Sequence, residues 1–459
     1  MTSKTKRILA GLSAAFIGGL TSLAVLAESQ EALQPVVNAK AERLLEFDWP
    51  MIKVGTATYE EGPTGVTVFE FAKKSNVAID VRGGGPGTVN SAYIDLGYQS
   101  PELDAIVFAG GSWYGLEATT AVASAMKDDG LRDGNAFTDP INLALSVGSI
   151  IYDFGSRRLN EVYPDKKLAQ AAFRATKPGV FPQGAHGAGR MTQSGSFFGC
   201  NAHSGQGGAY RQIGDVKIAV FSVVNAHGAV VDRDGTVPAC YPAKGADKPV
   251  KIGDLYEELY DRVEDSAKAN KAKGQNTTIS LVVTNQKMTP AVLKRLAVQV
   301  HTSMSRGLQP YASQYDGDVL YAVSTAEIEP QIDPVQLGTV ASELMWDAIL
   351  ASVPPQPVAA SPLKKSPFSR SDLNDFEGDY RFSQFVSLKV YRKGSKLFAK
   401  ASGERKAFSV GLDKPEELLP VSKSNNTFMV PGRYPMTLEF KGDELIINPG
   451  LWGQLGKRQ

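Results

Sequence analysis

The spacing of hydrophobic and polar positions changes sharply at one place in this chain, residues 268–284. Lysine, alanine and glycine make up most of 268–274, whereas β-branched and apolar residues dominate from Thr278 to Thr284. Such a switch is typical of a connector that leads directly into a buried strand. If the chain were cut before Thr277, that threonine would carry a free α-amino group, which can act as the base for its own hydroxyl. A surface loop without chemistry is the alternative interpretation, and it is the one that the local pattern favours.

The same patterns predict alternating strands and helices on both sides of this junction. Before it, they predict strands at 65–71, 77–81, 105–109 and 216–225 and helices at 30–45, 116–126 and 254–273. After it, they predict a strand at 278–284, a helix from Pro290 to about Gly307 with Thr289 as its N-cap, a strand at 319–324 and a helix at 336–351. The chain up to residue 352 is therefore predicted to contain both strands and helices.

Both ends of the chain differ in composition from the residues between them. Residues 1–27 place Lys4, Lys6 and Arg7 before an uncharged run, a pattern typical of a cleaved signal peptide that would direct the protein to the periplasm or outside the cell. An uncleaved membrane anchor is the alternative, and no other stretch is apolar enough to cross a membrane. Residues 353–371 are rich in proline and lysine and predict a linker after a 28–352 domain. Short strands separated by turn signals predict a small barrel-like β-domain over 372–459.

The net charge and the histidine and cysteine residues argue against some classes of function. A formal net charge of +1 over 459 residues gives no electrostatic reason to expect a nucleic-acid partner. The four histidines lack the spacing of metal ligands, and the two cysteines, Cys200 and Cys240, are too few for a usual zinc cluster. We therefore expect no metal and no cofactor. The cysteines are interpreted as structural, and whether they pair is left open.

Three blocks of residues follow one another along the large 28–352 domain. The first is the glycine-rich run 80–88, and the second is the strand-to-helix turn 110–118. The third is the Asn276-Thr277 junction, followed by the 315–318 segment Tyr-Asp-Gly-Asp and a strand that ends near Ser324. Together these blocks resemble the self-processing aminopeptidase and amidase family, which contains the D-aminopeptidases, the β-peptidyl aminopeptidases and the nylon-oligomer hydrolase. The resemblance covers about residues 48–335.

The resemblance implies a layered αββα-type sandwich of the N-terminal-nucleophile kind. It implies autocleavage between Asn276 and Thr277 into chains 28–276 and 277–459, with Thr277 as the nucleophile that forms an acyl-enzyme. Thr278 is the alternative nucleophile that the match leaves open. The expected substrates are amides of short amino-bearing acyl groups in peptides, β-peptides or 6-aminohexanoate oligomers. Members of the family form homo-oligomers of the processed unit, and we expect the same here.

The resemblance also carries roles over to individual residues. Asp316 and Asp318 are expected to orient the amine and hydroxyl of Thr277, although Asp-Gly-Asp is more commonly a tight turn. Asn225, at the end of the 216–225 strand, resembles the family's oxyanion-hole asparagine, and Tyr152 resembles the tyrosine that assists it. A strand-end asparagine and a packed aromatic ring are the structural alternatives.

One departure from the family concerns the substrate. The nylon-oligomer branch carries a lysine in the glycine-rich segment, yet 184–215 contains none. Arg190 and His203 are the candidates to orient the substrate in its place, but arginine cannot act as a base and histidine changes charge near neutral pH. His203 and His227 are otherwise interpreted as surface or glycine-loop residues. The alternatives to a hydrolase are an acyltransferase of related fold and a non-catalytic cell-envelope binding protein.

Overall fold

The computed structural model describes most of the chain after its first 32 residues. The described residues are 33–96, 101–132, 142–154, 161–200, 202–240, 249–263, 276–357, 360–383, 385–404, 410–411, 414–431, 436–450 and 452–459. The chain divides into a short unit, residues 1–35, and a compact unit, residues 36–459, to which all elements below belong. The predicted signal peptide lies outside the described residues, as does most of the 268–276 connector.

The elements are named here in chain order. The strands are β1 Val36–Val37, β2 Leu44–Glu46, β3 Ile52–Tyr59, β4 Thr64–Val81, β5 Thr88–Val89, β6 Glu102–Ala109, β7 Ser146–Ile150, β8 Lys177–Pro178, β9 Val180–Pro182, β10 Gln193–Ser194, β11 Ala202–His203, β12 Gln206–Ile213, β13 Val216–Asn225, β14 Ala229–Val230, β15 Thr277–Gln286, β16 Leu308–Gln309, β17 Val319–Ile328, β18 Gly378–Arg381, β19 Ser387–Lys393, β20 Lys396–Ser402, β21 Glu416–Ser422, β22 Thr427–Val430, β23 Met436–Lys441, β24 Glu444–Ile447 and β25 Gln454–Arg458. The helices are α1 Ser91–Asp95, α2 Glu117–Asp128, α3 Lys166–Arg174, α4 Ile252–Val263, α5 Pro290–Ser303, α6 Pro334–Ala351 and α7 Arg370–Asn374.

A large mixed sheet forms the centre of the α/β domain. Its main path runs β12-β13-β15-β17-β4-β6-β7-β5, and β3 pairs with β4 beside this path. The long strand β4 pairs with β3 through its first half and with β17 through its second half, and it pairs with β6 on both sides of its middle. The register with β6 shifts between Glu70 and Ser75, around the exposed residues Ala72 and Lys73, so β4 connects two parts of the sheet.

The two faces of β13, β15 and β17 bury different sets of residues, which explains why these strands are apolar almost throughout. On one face, residues such as Val220, Val282 and Leu320 pack with apolar residues of α5 and α6. On the other face, Phe221, Leu281 and Tyr321 belong to an aromatic-rich core that also contains residues of β3, β4 and β6. Because β15 is buried on both faces, packing holds the strand and its first residue, Thr277, in place.

The C-terminal segment forms a closed barrel of eight antiparallel strands, β18 to β25. Alternating inward residues, including Tyr380, Leu388, Phe428 and Phe440, fill its core. Closure gives each of these strands a pairing partner on both sides. The predicted small β-domain is therefore present as a complete barrel.

Two details of the predicted elements are wrong. Residues 36–37 and 44–46 form strands instead of the predicted helix over 30–45, because they pair with β3 and β9 and this tertiary pairing outweighs their local preference. The two strands predicted at 65–71 and 77–81 are one continuous strand, β4. The helix predicted at 254–273 is described only as α4, because 264–275 lie outside the described residues. Within the described part of the chain, no helix is both long enough and apolar enough to span a membrane.

Candidate active site

The predicted cleavage junction lies at the start of β15, a central strand. Thr277 pairs with Asn225 at the end of antiparallel β13, and β15 runs parallel to β17 on its other side. Thr277 is 4% exposed and Thr278 is fully buried. The junction is therefore enclosed by the ends of two neighbouring strands and is not part of an exposed loop.

Three hydrogen bonds hold the backbone of Asn276, and two of them are accepted by the carbonyl oxygen of the bond to Thr277. The Thr277 hydroxyl donates to the carbonyl oxygen of Asn276 at 2.5 Å. The Gly317 amide donates to the same oxygen at 2.8 Å, and the Asn276 amide donates to the Tyr315 carbonyl at 3.1 Å. Asn276 is thus aligned alongside the 315–317 segment, with its carbonyl group next to the hydroxyl of the following residue.

Asp316 and Asp318 flank this junction and are both buried. One carboxylate oxygen of Asp318 accepts the Thr278 amide hydrogen at 2.6 Å, and the other accepts that of Ala312 at 3.1 Å. Asp316 forms a parallel bridge with Asn276, and its carboxylate accepts hydrogen bonds from the His227 amide and from Ser313. The Asp318 carboxylate therefore binds the amide of the residue after Thr277, while the backbone of Asp316 is bridged to the residue before it.

Burial and the nearby carboxylate of Asp316 raise the pKa of Asp318 to about 8. The folded chain therefore keeps a proton on Asp318 at pH values where the unfolded chain, with an ordinary carboxyl pKa of about 4, has released it. A group with a raised pKa stabilises the folded state most at low pH, and that stabilisation is lost as the pH rises.

The free energy of unfolding is accordingly expected to fall between about pH 4 and about pH 8. Denaturant titrations across this range test the expectation on a chain that cannot be cut, Thr277→Val. The double variant Thr277→Val/Asp318→Asn should show a smaller slope over the same pH window. Equal slopes in the two proteins would show that Asp318 does not hold the extra proton.

The first glycine block packs directly on the aspartate segment. The Arg82 amide donates to the Asp318 carbonyl at 3.0 Å, and the Gly85 amide donates to the Asp316 carbonyl at 2.8 Å. A Cβ atom on Gly83 would lie 2.2 Å from the Asp318 nitrogen, so only glycine fits there. This close approach explains the glycine at position 83.

Asn225 and Tyr152 are neighbours at the other side of the junction. The Asn225 side chain donates from Nδ2 to the Tyr152 carbonyl at 2.9 Å and accepts the Gln193 amide hydrogen at 3.1 Å. The Tyr152 ring packs edge-on against Phe154, with 5.5 Å between ring centroids. The structure thus brings Asn225 to Thr277 through strand pairing, and Tyr152 to Asn225 through its backbone.

The second glycine block is anchored to the same stretch of chain as Tyr152. The carboxylate of Asp153 accepts the Gly111 amide hydrogen at 3.0 Å and the Thr64 hydroxyl hydrogen at 2.7 Å. A Cβ atom on Gly110 would lie 2.3 Å from that carboxylate. This block therefore stabilises the turn that carries Tyr152.

Arg190 and His203 make contacts elsewhere in the domain. Arg190 is 5% exposed and donates to Glu60 at 3.1 Å. His203 stacks on Trp452 of the barrel at a centroid distance of 4.1 Å, and burial lowers its pKa to about 3. These contacts do not involve the junction residues, so they favour a structural interpretation of both side chains.

Three residues that contact the junction or its aspartates are missed by sequence reasoning. In the sequence, Gly317 belongs only to a turn and Ser313 carries no signal, yet both form hydrogen bonds here. His227, interpreted from the sequence as a surface or loop residue, is 4% exposed and contacts Asp316. The sequence offers one signal for a role of His227, which is its position two residues after Asn225. Residues that closely follow a site residue at the end of a strand tend to lie near the same site.

Cys200 and Cys240 form a disulfide, which settles the pairing that the sequence left open. The disulfide connects the 196–198 turn, which carries Phe197, to the loop that follows β14. Among the described residues, no three His, Cys, Asp or Glu side chains are grouped as metal ligands.

Comparison with known proteins identifies the class. Residues 47–355 match the model of Peptidase family S58. The chain is 39% identical over 327 residues to the 6-aminohexanoate-oligomer endohydrolase of Paenarthrobacter ureafaciens, a match that covers 68% of this chain and 87% of that protein. It is 40% identical over 320 residues to a putative NylC-analogous protein of Agromyces sp. (strain KY5R), covering 67% of this chain and 99% of that protein.

A solved structure of a Burkholderia sp. beta-aminopeptidase is similar in fold. Its TM-score is 0.50 at 16% identity, and the match covers 68% of this chain and 87% of that one. The chain therefore belongs to Peptidase family S58. It is a hydrolase that acts on peptide or linear amide bonds, and the resemblance drawn from the three sequence blocks is confirmed at the level of the family.

Proposed function

We propose that this protein is an N-terminal-nucleophile amide hydrolase that activates itself by cutting between Asn276 and Thr277. The observation that carries the proposal is the hydrogen bond from the Thr277 hydroxyl to the Asn276 carbonyl, an oxygen that also accepts the Gly317 amide hydrogen. A nucleophile lies beside the carbonyl that it must attack, and a backbone donor already points at the oxygen where negative charge would develop.

Self-cleavage proceeds in two steps, an acyl shift to the Thr277 oxygen and hydrolysis of the resulting ester. The Thr277 oxygen attacks the Asn276 carbonyl carbon while its proton passes to a base. The C–N bond breaks, and the nitrogen takes up a proton and becomes a free amine, which leaves an ester between the two residues. Water then hydrolyses the ester, which releases the Asn276 carboxyl group and restores the Thr277 hydroxyl. The Gly317 amide stabilises the oxyanion in the first step.

After cleavage, Thr277 would act on external amides through an acyl-enzyme. A free α-amino group has a pKa of about 8, so it can accept the hydroxyl proton near neutral pH. Asp316 and Asp318 hold the backbone on both sides of Thr277 and orient its amine and hydroxyl. Asn225, paired with Thr277, supplies an amide donor for the oxyanion, and Tyr152 assists through its contact with Asn225.

The substrate class follows from the relatives together with this chemistry. We infer that the protein cleaves amides of short acyl groups that carry an amino group, in peptides, β-peptides or 6-aminohexanoate oligomers. Three relatives at 39% identity are named for action on 6-aminohexanoate oligomers. A linear amide with a flexible, amino-bearing acyl group is common to all these substrates.

Three further features belong to the same proposal. The ring contact between Phe69 of β4 and Phe221 of β13, at 4.9 Å, supports a layered αββα-type sandwich in which the two parts of the sheet face each other. The Cys200–Cys240 disulfide supports export to the periplasm or beyond, because disulfides persist in oxidising compartments. The processed unit is expected to form homo-oligomers, which gel filtration would measure.

Denaturing electrophoresis of the purified protein tests the proposal. We expect two fragments, with Thr277 as the first residue of the smaller one by N-terminal sequencing, and release of p-nitroaniline from aminoacyl p-nitroanilides. A single uncut chain without hydrolysis would instead favour a non-catalytic binding protein. Two fragments that transfer an acyl group to an amine but not to water would favour an acyltransferase.

A further inference from the structure

His227 lies on the short stretch between β13 and β14 and contacts Asp316, the residue that is bridged to Asn276. It follows Asn225 by two residues and is 4% exposed. Its amide donates to one carboxylate oxygen of Asp316 at 3.1 Å, and its ring nitrogen Nδ1 lies 3.4 Å from the Ser313 hydroxyl oxygen. The proposed mechanism above gives this ring no function.

The hydrogen bonds of Ser313 determine which nitrogen of the His227 ring carries the proton. The Ser313 hydroxyl donates its single hydrogen to the second carboxylate oxygen of Asp316 at 2.6 Å. It can therefore only accept from His227, so Nδ1 is the protonated nitrogen and Nε2 holds a free electron pair. Burial lowers the pKa of His227 despite the nearby Asp316 carboxylate, which keeps the ring neutral at neutral pH.

The Nε2 atom is a buried hydrogen-bond acceptor without a partner among the described residues. Buried polar atoms are nearly always paired, and an unpaired one costs free energy. Two aromatic rings meet the imidazole edge-on, Phe197 at 5.3 Å and Tyr315 at 5.9 Å between centroids. Both of these side chains are partly exposed, at 37% and 48%, so the buried acceptor lies close to the protein surface.

The position of Asn276 indicates where the acyl group of a substrate must lie. Thr277 attacks the Asn276 carbonyl carbon during self-cleavage, and it attacks the substrate's carbonyl carbon afterwards. The acyl group therefore takes the place of Asn276 along Tyr315 and Gly317, whose backbone groups bind Asn276 in the uncut chain. The Asn276 side-chain nitrogen is itself buried and has no hydrogen-bond partner in the described part of the chain, so no such bond retains that side chain once the chain is cut.

We propose that Nε2 of His227 accepts a hydrogen bond from an N–H group in the acyl part of the substrate, either a primary amine or an amide. This inference rests on the proposed function and refines it, because it names the group that selects amino-bearing substrates. A substrate that places a methyl group there leaves the buried acceptor unpaired and is rejected for that reason.

Matched pairs of p-nitroanilides test the proposal on the full chain as expressed. One pair is alanyl and propanoyl p-nitroanilide, and the other is 6-aminohexanoyl and hexanoyl p-nitroanilide. In the wild type, kcat/KM is expected to be about tenfold or more higher for the amino member of at least one pair. In His227→Asn, which keeps a donor near Nδ1 but has no acceptor at Nε2, this ratio should fall to within about threefold of one. N-acetyl-6-aminohexanoyl p-nitroanilide distinguishes the two sources of N–H, because it offers an amide and no amine.

The control is His203→Asn, which changes a second buried histidine that contacts Trp452. Its substrate ratio should equal that of the wild type. An unchanged ratio in His227→Asn, or no discrimination by the wild type in either pair, would overturn the proposal while hydrolysis itself still supported the proposed function. A wild type that hydrolyses none of the anilides would overturn both.

A second variant separates binding from folding. His227→Gln places an amide oxygen near the position of Nε2, so it should keep a clear preference for the amino member where His227→Asn loses it. If both variants fail to fold, as judged by circular dichroism, the ring is structural and the assignment is wrong.

Discussion

Thr277→Val is expected to yield a single uncut chain that hydrolyses none of the test amides. Valine has nearly the same shape as threonine and suits a buried strand, so the substitution removes the hydroxyl group and little else. Without that oxygen, neither the attack on Asn276 nor the later attack on substrate can occur. Loss of a nucleophile typically lowers turnover by at least about a thousandfold. Denaturing electrophoresis and p-nitroanilide hydrolysis measure the two effects.

Two matched variants make this result specific. Thr277→Ser keeps the hydroxyl and should be cut. Thr278→Val removes the neighbouring hydroxyl, the alternative nucleophile that the sequence leaves open, and should be cut at the same bond. Adjacent residues of a strand point to opposite faces, so the two threonines cannot both face the Asn276 carbonyl. An uncut Thr278→Val chain together with a cut Thr277→Val chain would transfer the role to Thr278.

Gly317→Ala is expected to slow self-cleavage by about a hundredfold or more. A Cβ atom on Gly317 would lie 2.7 Å from the Thr277 hydroxyl oxygen and 2.7 Å from the Gly85 carbonyl oxygen. Either the hydroxyl or the 315–317 segment must move, and both movements disturb the hydrogen bonds to the Asn276 carbonyl. The half-time for conversion of the freshly purified chain into two fragments measures the effect.

Gly85→Ala is the matched control for this substitution. Gly85 is exposed and belongs to the adjacent loop, and a Cβ atom there would lie 3.9 Å from its nearest neighbour, the Asp316 carbonyl oxygen. It should be cut at the wild-type rate. Equal half-times for Gly317→Ala and Gly85→Ala would show that the space beside the hydroxyl and the Gly317 donor do not limit self-cleavage.

The strands around the junction could be predicted because both of their faces are buried. The sequence predicts β13 with the same bounds that the structure has, and β15 and β17 to within a few residues at each end, since a long run of apolar, β-branched residues is rarely stable in an exposed loop. The helix over 30–45 could not be excluded in the same way. Its residues form short strands only because β3 and β9 provide pairing partners from distant parts of the chain.

The residues of the candidate site also fall into two groups, those that the sequence could predict and those that it could not. Thr277, Asp316 and Asn225 could be proposed from the junction pattern and the family resemblance. His227 and Ser313 could not, because a histidine after a strand and a serine in a loop have many common uses. Their importance follows from Asp316, whose carboxylate accepts hydrogen bonds from both residues although they are distant from each other in the chain. Arg190 and His203 are candidates by residue type alone, and their contacts with Glu60 and Trp452 favour a structural interpretation.

By itself, the sequence determined which segments are buried strands, where the connector meets one of them, and to which family the chain is similar. These properties depend on local spacing and on the order of motifs along the chain. Only the tertiary structure decided that the Gly317 amide points at the Asn276 carbonyl and that the His227 ring, which packs against Tyr315, has an Nε2 atom that is unpaired among the described residues. Both depend on hydrogen bonds between segments that are remote in the chain, and the direction of a donor or an electron pair is determined only when those segments pack together.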